Sequence, residues 1–429
     1  MRLVTLSLAL LLPAGCAQLL GYEEPAERGT NGASPDAAVP VTADDGGTNP
    51  RDGGTGADMD GTVPGGQCAD LPDFQASVHY GGVIANPESL AVGDLNRDGH
   101  PDVVIVSTSV SSLDVHFGAA GGLLDQVSPL SVPFTPSGGC GPGSSSVAVG
   151  DFDLDGFDDV AYVAGTNCGR VVVRRQNSAA AGSFLAEQQV VPSNGSGGET
   201  GLTVADLNHD GKADLMVLTM SSVQVFLSTS TAPGNLSFSS AFVEPISAFA
   251  GGKGQGARAA DLNGDGRLDV AWLSAQGVQY KLQDQMPAAA GGFAASVGNL
   301  GTSGVMGWAV GDLNGDGFDD VITAASGTGT KYLYDAGAHA PLAAGTFQIG
   351  LPVEGLALVD VNSDGRLDVT ARGSAQLQCE PGPPGTFGSQ APPVDVLQEG
   401  GEIFFVDISG EGKADALGIG PGLVVRIQN

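Results

Sequence analysis

Short apolar runs recur along the chain from about residue 71 to the end. Ser89-Leu90-Ala91-Val92-Gly93 and Val103-Val104-Ile105-Val106 form an early pair, and Val270-Ala271-Trp272-Leu273 is a later example. They are rich in β-branched residues, bounded by turn residues and free of helical period, so they predict strands. A third strand is expected at 113–117, 171–175, 223–227 and 278–282. A fourth, weaker strand is expected to begin near Phe184, Phe238, Phe293, Phe347 and Phe387. The last unit offers strands at 402–406, 416–419 and 423–427 and then the chain stops. Phe74-Gln75-Ala76-Ser77-Val78-His79-Tyr80, ahead of the first unit, reads as the missing strand. The expectation is an all-β, seven-bladed β-propeller, closed by its N-terminal strand so that no open edge remains.

Between the first two strands of each unit lies an acidic loop. In Asp261-Leu262-Asn263-Gly264-Asp265-Gly266-Arg267-Leu268-Asp269, oxygen-bearing side chains stand at positions 1, 3, 5 and 9, with glycine at 6. The candidate ligands there are Asp261, Asn263, Asp265 and Asp269. The first three loops offer Asp94, Asn96, Asp98, Asp102; then Asp151, Asp153, Asp155, Asp159; then Asp206, Asn208, Asp210, Asp214. After the Asp261 loop come Asp312, Asn314, Asp316, Asp320, and then Asp360, Asn362, Asp364, Asp368. The last, Asp407, Ser409, Glu411, Asp415, keeps the shape with weaker residues. First positions are 57, 55, 55, 51, 48 and 47 residues apart, which marks a repeat architecture. Calcium takes six to eight oxygens at roughly 2.3–2.6 Å, and the glycine permits the left-handed turn that gathers them. The expected cofactor is therefore calcium, about six to seven ions, in a structural rather than a catalytic role. An EF-hand would need flanking helices and Glu at position 12, where the first and fourth loops carry Ile105 and Trp272.

The loops resemble those of FG-GAP/VCBS repeats, the propeller of integrin α-subunits and of many bacterial surface proteins. The match to Asp-x-Asp/Asn-x-Asp-Gly-x-x-Asp holds in six units and departs in the seventh at Ser409 and Glu411. The resemblance implies a calcium-bearing scaffold whose relatives are mostly binding proteins, some attached to enzymes.

Charge changes the picture of partners. Seventeen basic residues stand against 48 acidic ones, a net of −31. Twenty-two of the acids occupy ligand positions, so seven divalent ions would bring the net to about −17. Such acidity disfavours nucleic acid and anionic membrane surfaces. At the N-terminus, Arg2 precedes an apolar run over 3–12, too short to span a bilayer, which reads as a signal peptide over 1–15. Ala14-Gly15-Cys16 resembles a bacterial lipoprotein cleavage box, with Pro13 where an aliphatic residue is usual. The resemblance implies lipidation at Cys16 and a lipid-anchored protein of the bacterial cell envelope, at the outer membrane or cell surface; ordinary secretion is the alternative. Residues 16–67 are rich in Pro, Gly and Asp and poor in large apolar residues, a disordered tether before the propeller at 68–429.

Four further cysteines, an even number, suggest disulfides in an exported chain. Cys140 and Cys168 both emerge on the propeller face away from the acidic loops and are expected to pair, leaving Cys68 with Cys379. Zinc is the alternative, though no CxxC or His/Cys cluster exists. For catalysis the chain offers little. His79, His116 and His339 are scattered, and His100 and His209 sit at non-ligand positions of the loops. Asp158 and Asp319 are extra acids at position 8, expected to support the loops, and Trp272 and Trp308 are expected in the core. No nucleophile elbow, phosphate loop or dinucleotide motif appears.

The reading is a non-enzymatic, monomeric, surface-anchored binding, adhesion or scaffold module for a protein or glycan ligand. Its ligand face would be the glycine-rich end at 137–146, 193–201, 250–256 and 299–304. The alternative is a carbohydrate-active propeller, a lectin or polysaccharide lyase, for which Lys253, Arg258, Arg170 and Lys331 are the nearest basic candidates.

Overall fold

The apolar runs form strands in groups of four, and each group is one antiparallel sheet. The computed structural model describes residues 74–428, apart from 82–84, 125–128, 137–139, 166–169, 192–198, 247–256, 284–291, 301–303, 326–327, 336–339, 349–355, 364, 372–373, 377–393, 396–401 and 420–422. The expected signal peptide and tether, with Cys16, lie outside the described residues, as do Cys68, Cys168, Cys379, Lys253, His339, Asp364 and Phe387.

The first blade is built from Pro87–Gly93, Asp102–Ser107, Ser112–His116 and Leu130–Pro133. The second is Val147–Gly150, Asp159–Val163, Val171–Arg174 and Gln188–Val191, and the third Glu199–Ala205, Asp214–Thr219, Ser222–Ser228 and Phe238–Pro245. The fourth comprises Arg258–Ala260, Asp269–Ser274, Gly277–Lys281 and Gly298–Asn299; the fifth Gly307–Gly311, Asp320–Ala325, Thr328–Asp335 and Ala340–Gln348. The sixth is Ala357–Val359, Asp368–Ala371, Ser374–Gln376 and Val394–Asp395. Glu402–Val406, Asp415–Ile419 and Leu423–Arg426 make the last, with Val78–Tyr80 from the other end of the chain as its fourth strand. No helix forms among the described residues, so none is long and apolar enough to cross a membrane.

The closing strand is shorter than expected. Only Val78–Tyr80 pairs regularly, with Val78 opposite Val425, while Phe74 makes a separate bridge to Gln428. Between them Gln75 N–H donates to the Ile427 carbonyl at 2.8 Å, so the segment stays attached along its length. The outer strands also differ in part from expectation. Phe238 opens its strand as expected, but Phe347 lies near the end of Ala340–Gln348. Phe184 and Phe293 make isolated bridges to Gln176 and Gln283, several residues before the regular outer strand begins. Outermost strands have neighbours on one side only, so their sequence pattern is weaker.

Second strands are buried throughout: every residue of Asp102–Ser107, Asp159–Val163, Asp214–Thr219 and Asp269–Ser274 is buried. Both faces of these strands are covered by neighbouring blades, so their sequences read as continuous apolar runs rather than alternating ones. The cores lie between blades. Val104, Val106 and Leu113 of the first blade pack with Val149, Val160 and Tyr162 of the second. Trp272 of the fourth joins Met216, Leu218 and Val225 of the third, and Trp308 of the fifth joins Leu273 and Val278 of the fourth. Leu90 and Ile105 meet Leu417 and Leu423, which brings the last blade onto the first and closes the ring. Each fully buried Val or Leu contributes roughly 1.5–3 kcal/mol.

Candidate metal-binding loops

All seven acidic loops are hairpin connections in one register. The residue before position 1 pairs with position 9 in every blade: Gly93 with Asp102, Gly150 with Asp159, Ala205 with Asp214, Ala260 with Asp269, Gly311 with Asp320, Val359 with Asp368 and Val406 with Asp415. Position 6 is a left-handed glycine in each, from Gly99 at φ 83° to Gly412 at φ 81°. Position 4 is left-handed too: Gly264, Gly315 and Gly410, but also Arg97, Leu154, His209 and Ser363. The sequence reading missed this second turn, because four of its seven residues are not glycine.

Two left-handed residues fold the chain so that backbone N–H groups face the acidic side chains. In the first loop the Asp94 carboxylate accepts from Asp98 N–H at 3.0 Å and Gly99 N–H at 2.9 Å. Asn96 Oδ1 accepts from Asp98 N–H at 2.9 Å, and Asp98 Oδ1 from His100 N–H at 2.9 Å. The fourth loop repeats the set with Asp261, Asn263 and Asp265, and the fifth with Asp312, Asn314 and Asp316. Asp206, Asn208 and Asp210 do the same in the third. In the sixth, Asp360 accepts from Gly365 N–H at 2.7 Å. The last loop keeps the fold: Asp407 accepts from Glu411 and Gly412, and the Ser409 hydroxyl donates to Asp407 Oδ1 at 3.2 Å.

Position 9 has a further task. Asp102, Asp159, Asp214, Asp269, Asp320, Asp368 and Asp415 are all fully buried. Asp269 Oδ2 accepts from Leu262 N–H at 3.0 Å and its Oδ1 from Gln283 N–H at 2.7 Å. Asp102 and Asp214 likewise bridge position 2 of their own loop and the chain leaving the third strand. This carboxylate ties the loop to its blade. Burial pushes Asp102 and Asp214 up to about 7 and Asp159 and Asp269 up to about 8, against the lowering pull of those N–H donors.

The second loop best displays a cation's requirements. Asp151, Asp153 and Asp159 each bring a carboxylate oxygen within 4.8 Å of the others. Asp159 Oδ2 is buried and has no hydrogen-bond partner among the described residues. An orphaned carboxylate oxygen facing two more carboxylates fits a hard cation. Asp153, at a position where most of the loops carry Asn, is offset by Arg175, whose Nη1 lies 3.1 Å from Asp153 Oδ2.

Asp158 and Asp319 hold neighbouring loops. Asp158 Oδ2 accepts from Asp94 N–H at 3.0 Å, and Asp319 Oδ2 from Asp261 N–H at 2.8 Å. The phenylalanine before each points the same way. Arg97 lies over the Phe157 ring at 5.1 Å, and a Cβ on Gly264 would collide with Phe318. Both Phe-Asp pairs therefore clamp positions 4 and 1 of the preceding blade's loop. Burial raises Asp158 to about 6 and Asp319 to about 7. Sequence reasoning also missed a set of cross-blade donors to position 2. Gln176 Nε2 donates to the Leu95 carbonyl, Ser230 Oγ to Phe152 O at 3.1 Å and Gln428 Nε2 to Val361 O at 2.9 Å.

Of the remaining candidates, Trp272 and Trp308 are fully buried, as expected of core residues. His100 and His209 occupy positions 7 and 4 of their loops; His116 is buried, and burial lowers it to about 4. Arg170 donates to Thr135 O at 2.7 Å beside Glu187. A Cβ on Gly165, three residues before Cys168 in the sequence, would meet Cys140 Cβ at 2.7 Å.

The FG-GAP-like repeat family profile matches residues 94–162, 151–217, 206–272 and 291–371, more than half of the chain, with the first six acidic loops inside the matched segments and the last, 407–415, outside them. The chain belongs to the FG-GAP-like repeat family. Solved structures agree with an FG-GAP repeat β-propeller. BBS1N in complex with ARL6DN is similar at TM-score 0.53 and 11% identity, covering 83% of this chain and 97% of that one. A lectin from Agrocybe aegerita that recognises non-reducing terminal N-acetylglucosamine is similar at TM-score 0.52 and 17% identity, covering 81% of this chain and 86% of that one. At these identities the likeness is one of fold. No curated protein matches this FG-GAP chain.

Proposed function

We propose that this FG-GAP propeller is a calcium-stabilised, non-catalytic binding or scaffold module held at the bacterial cell envelope. The observation that carries the reading is the common fold of its seven acidic loops, each with side-chain oxygens gathered by two left-handed residues. Calcium would be held by the side chains at positions 1, 3 and 5, with position 9 closing the site from beneath, and would neutralise carboxylates that otherwise crowd. Its role there is structural. A ligand, protein or glycan, would bind a surface that the ring presents; the module works as a monomer and takes neither nucleic acid nor a lipid surface directly. Glycan binding is the second reading, favoured by the Agrocybe lectin's use of a similar fold. Lipidation at Cys16 would anchor it, and the tether over 16–67 would let it reach about 35–45 Å from the membrane. Cys140 would pair with Cys168, supported by its place against Gly165, and Cys68 with Cys379.

The test has two arms. A glycan and protein array, probed with and without calcium, should return calcium-dependent binding; no binding under either condition would overturn the module reading. Cys16→Ser should leave the membrane fraction; if it stays there as the parent does, the anchor lies elsewhere.

A further inference from the structure

Arg258 opens the inner strand of the fourth blade, Trp308 is the second residue of the fifth blade's, and Leu356 directly precedes the sixth blade's. These strands run on into Asp261, Asp312 and Asp360. Arg258 pairs with Ala271 and Trp308 with Thr323, so the two stand about midway along their blades, where the inner strands of three blades adjoin. The Arg258 guanidinium lies over the Trp308 ring, 5.0 Å from its centroid, and Nη2 donates to the Leu356 carbonyl at 3.2 Å. One side chain thus crosses from the fourth blade over the fifth to the sixth.

What it lacks among the described residues is an anion. Arg258 Nε is buried without a hydrogen-bond partner among the described residues, and so is Trp308 Nε1. Arg175 has Asp153, Arg170 has Glu187 and Lys281 has Glu244, while Arg174, like Arg258, donates to backbone carbonyls. In a chain of net −31, Arg258 is left, among the described residues, with a carbonyl and a ring face. Desolvation lowers its pKa to about 10, so it is still cationic at neutral pH. A buried charge with no counter-ion is costly, and unpaired buried donors beside it add to that cost. A ligand that brings the missing charge would relieve both.

We propose that Arg258, backed by Trp308, anchors a binding site for a carboxylate-bearing ligand where the inner strands of the fourth, fifth and sixth blades adjoin. A guanidinium fork matches a carboxylate in charge and geometry. Phosphate dianion would bring a second negative charge that no further cation among the described residues offsets. The site deepens the binding-module reading and rests on it. A uronate sugar and a free peptide terminus share this chemistry and differ in the rest of the ligand.

Isothermal titration calorimetry on the full calcium-replete chain tests the site. The probes are sodium D-glucuronate, an N-acetylated dipeptide acid, glucose and inorganic phosphate. The expected result is saturable binding of at least one carboxylate probe, none of glucose, and weaker binding of phosphate. Arg258→Gln should lose at least tenfold in affinity, and Arg258→Lys should recover only part of it. The pattern across the two carboxylates identifies the source. Failure of both carboxylates to bind, equal affinity in Arg258→Gln, or tighter binding of phosphate would overturn the proposal. Melting each variant with calcium and with chelator separates the outcomes. A parent-like calcium shift shows an intact scaffold, so lost binding then belongs to the site. A parent with no calcium shift would count against the scaffold reading itself.

Discussion

At the scale of single residues, two loop positions carry most of the new information. Position 4 is left-handed in all seven loops, and at His209 the side chain is exposed with φ 54°. An L-residue there costs roughly 1–2 kcal/mol, against about 0.5–1 kcal/mol for the extra freedom glycine has when unfolded. His209→Gly should therefore stabilise the protein by up to about 1 kcal/mol in urea denaturation, and His209→Ala should not. Position 9 separates loop folding from ion binding. Asp269→Ala would strand the buried N–H groups of Leu262 and Gln283, about 1–3 kcal/mol each, with or without calcium. Asp265→Ala should cost little in chelator and should reduce the calcium-dependent gain, since its carboxylate serves the loop tip. Denaturation of both variants in the two conditions distinguishes the roles; equal behaviour would contradict the division.

Between elements, the joints are polar as well as apolar. The Phe157-Asp158 and Phe318-Asp319 pairs reach back to the preceding loop, and Gln176, Ser230 and Gln428 hold position-2 carbonyls across a blade boundary. Asp319→Ala should leave Asp261 N–H unpaired and loosen the joint between the fourth and fifth blades, by about 1–3 kcal/mol. Hydrogen exchange should rise first in Asp269–Ser274 and Gly307–Gly311, while Asp319→Asn, which keeps an acceptor, should be milder. Uniformly faster exchange over all blades would argue against a local joint.

For the whole molecule, closure and charge set the stability. Val78–Tyr80 completes the last sheet, the Tyr80 hydroxyl accepts from Leu124 N–H at 3.0 Å, and Arg426 lies over the Phe74 ring. Removing 74–80 exposes the edge of Leu423–Arg426 and should produce aggregation, whereas removing 17–60 should not; size-exclusion chromatography decides. Charge acts through the buried carboxyls. Asp102, Asp159, Asp214, Asp269 and Asp319 titrate in the fold at about 7 to 8, above the roughly 3.9 of an unfolded aspartate. Without cation, the folded state then binds more protons than the unfolded one between those values. Stability in chelator should be highest near pH 4 and fall as pH rises towards 8. Calcium, which favours the ionised form, should flatten or reverse that slope. Melting curves across pH with calcium and with chelator test this, and identical curves in the two conditions would remove calcium from the account.

The sequence by itself determined the repeat, the all-β class, the place of the acidic loops and the closing strand. These are local signals: apolar runs of strand length, and oxygen side chains at fixed offsets around a glycine. It did not determine that Arg97, Leu154, His209 and Ser363 would be left-handed, because a loop's need for φ > 0 is imposed by where its ends meet, not by residue type. Nor did it show the clamps of Asp158 and Asp319, or Arg258 over Trp308 beside the Leu356 carbonyl. Each of those joins residues about fifty or more positions apart. Only the stacking of one blade on the next brings them within hydrogen-bond reach, and that stacking is a property of the closed ring.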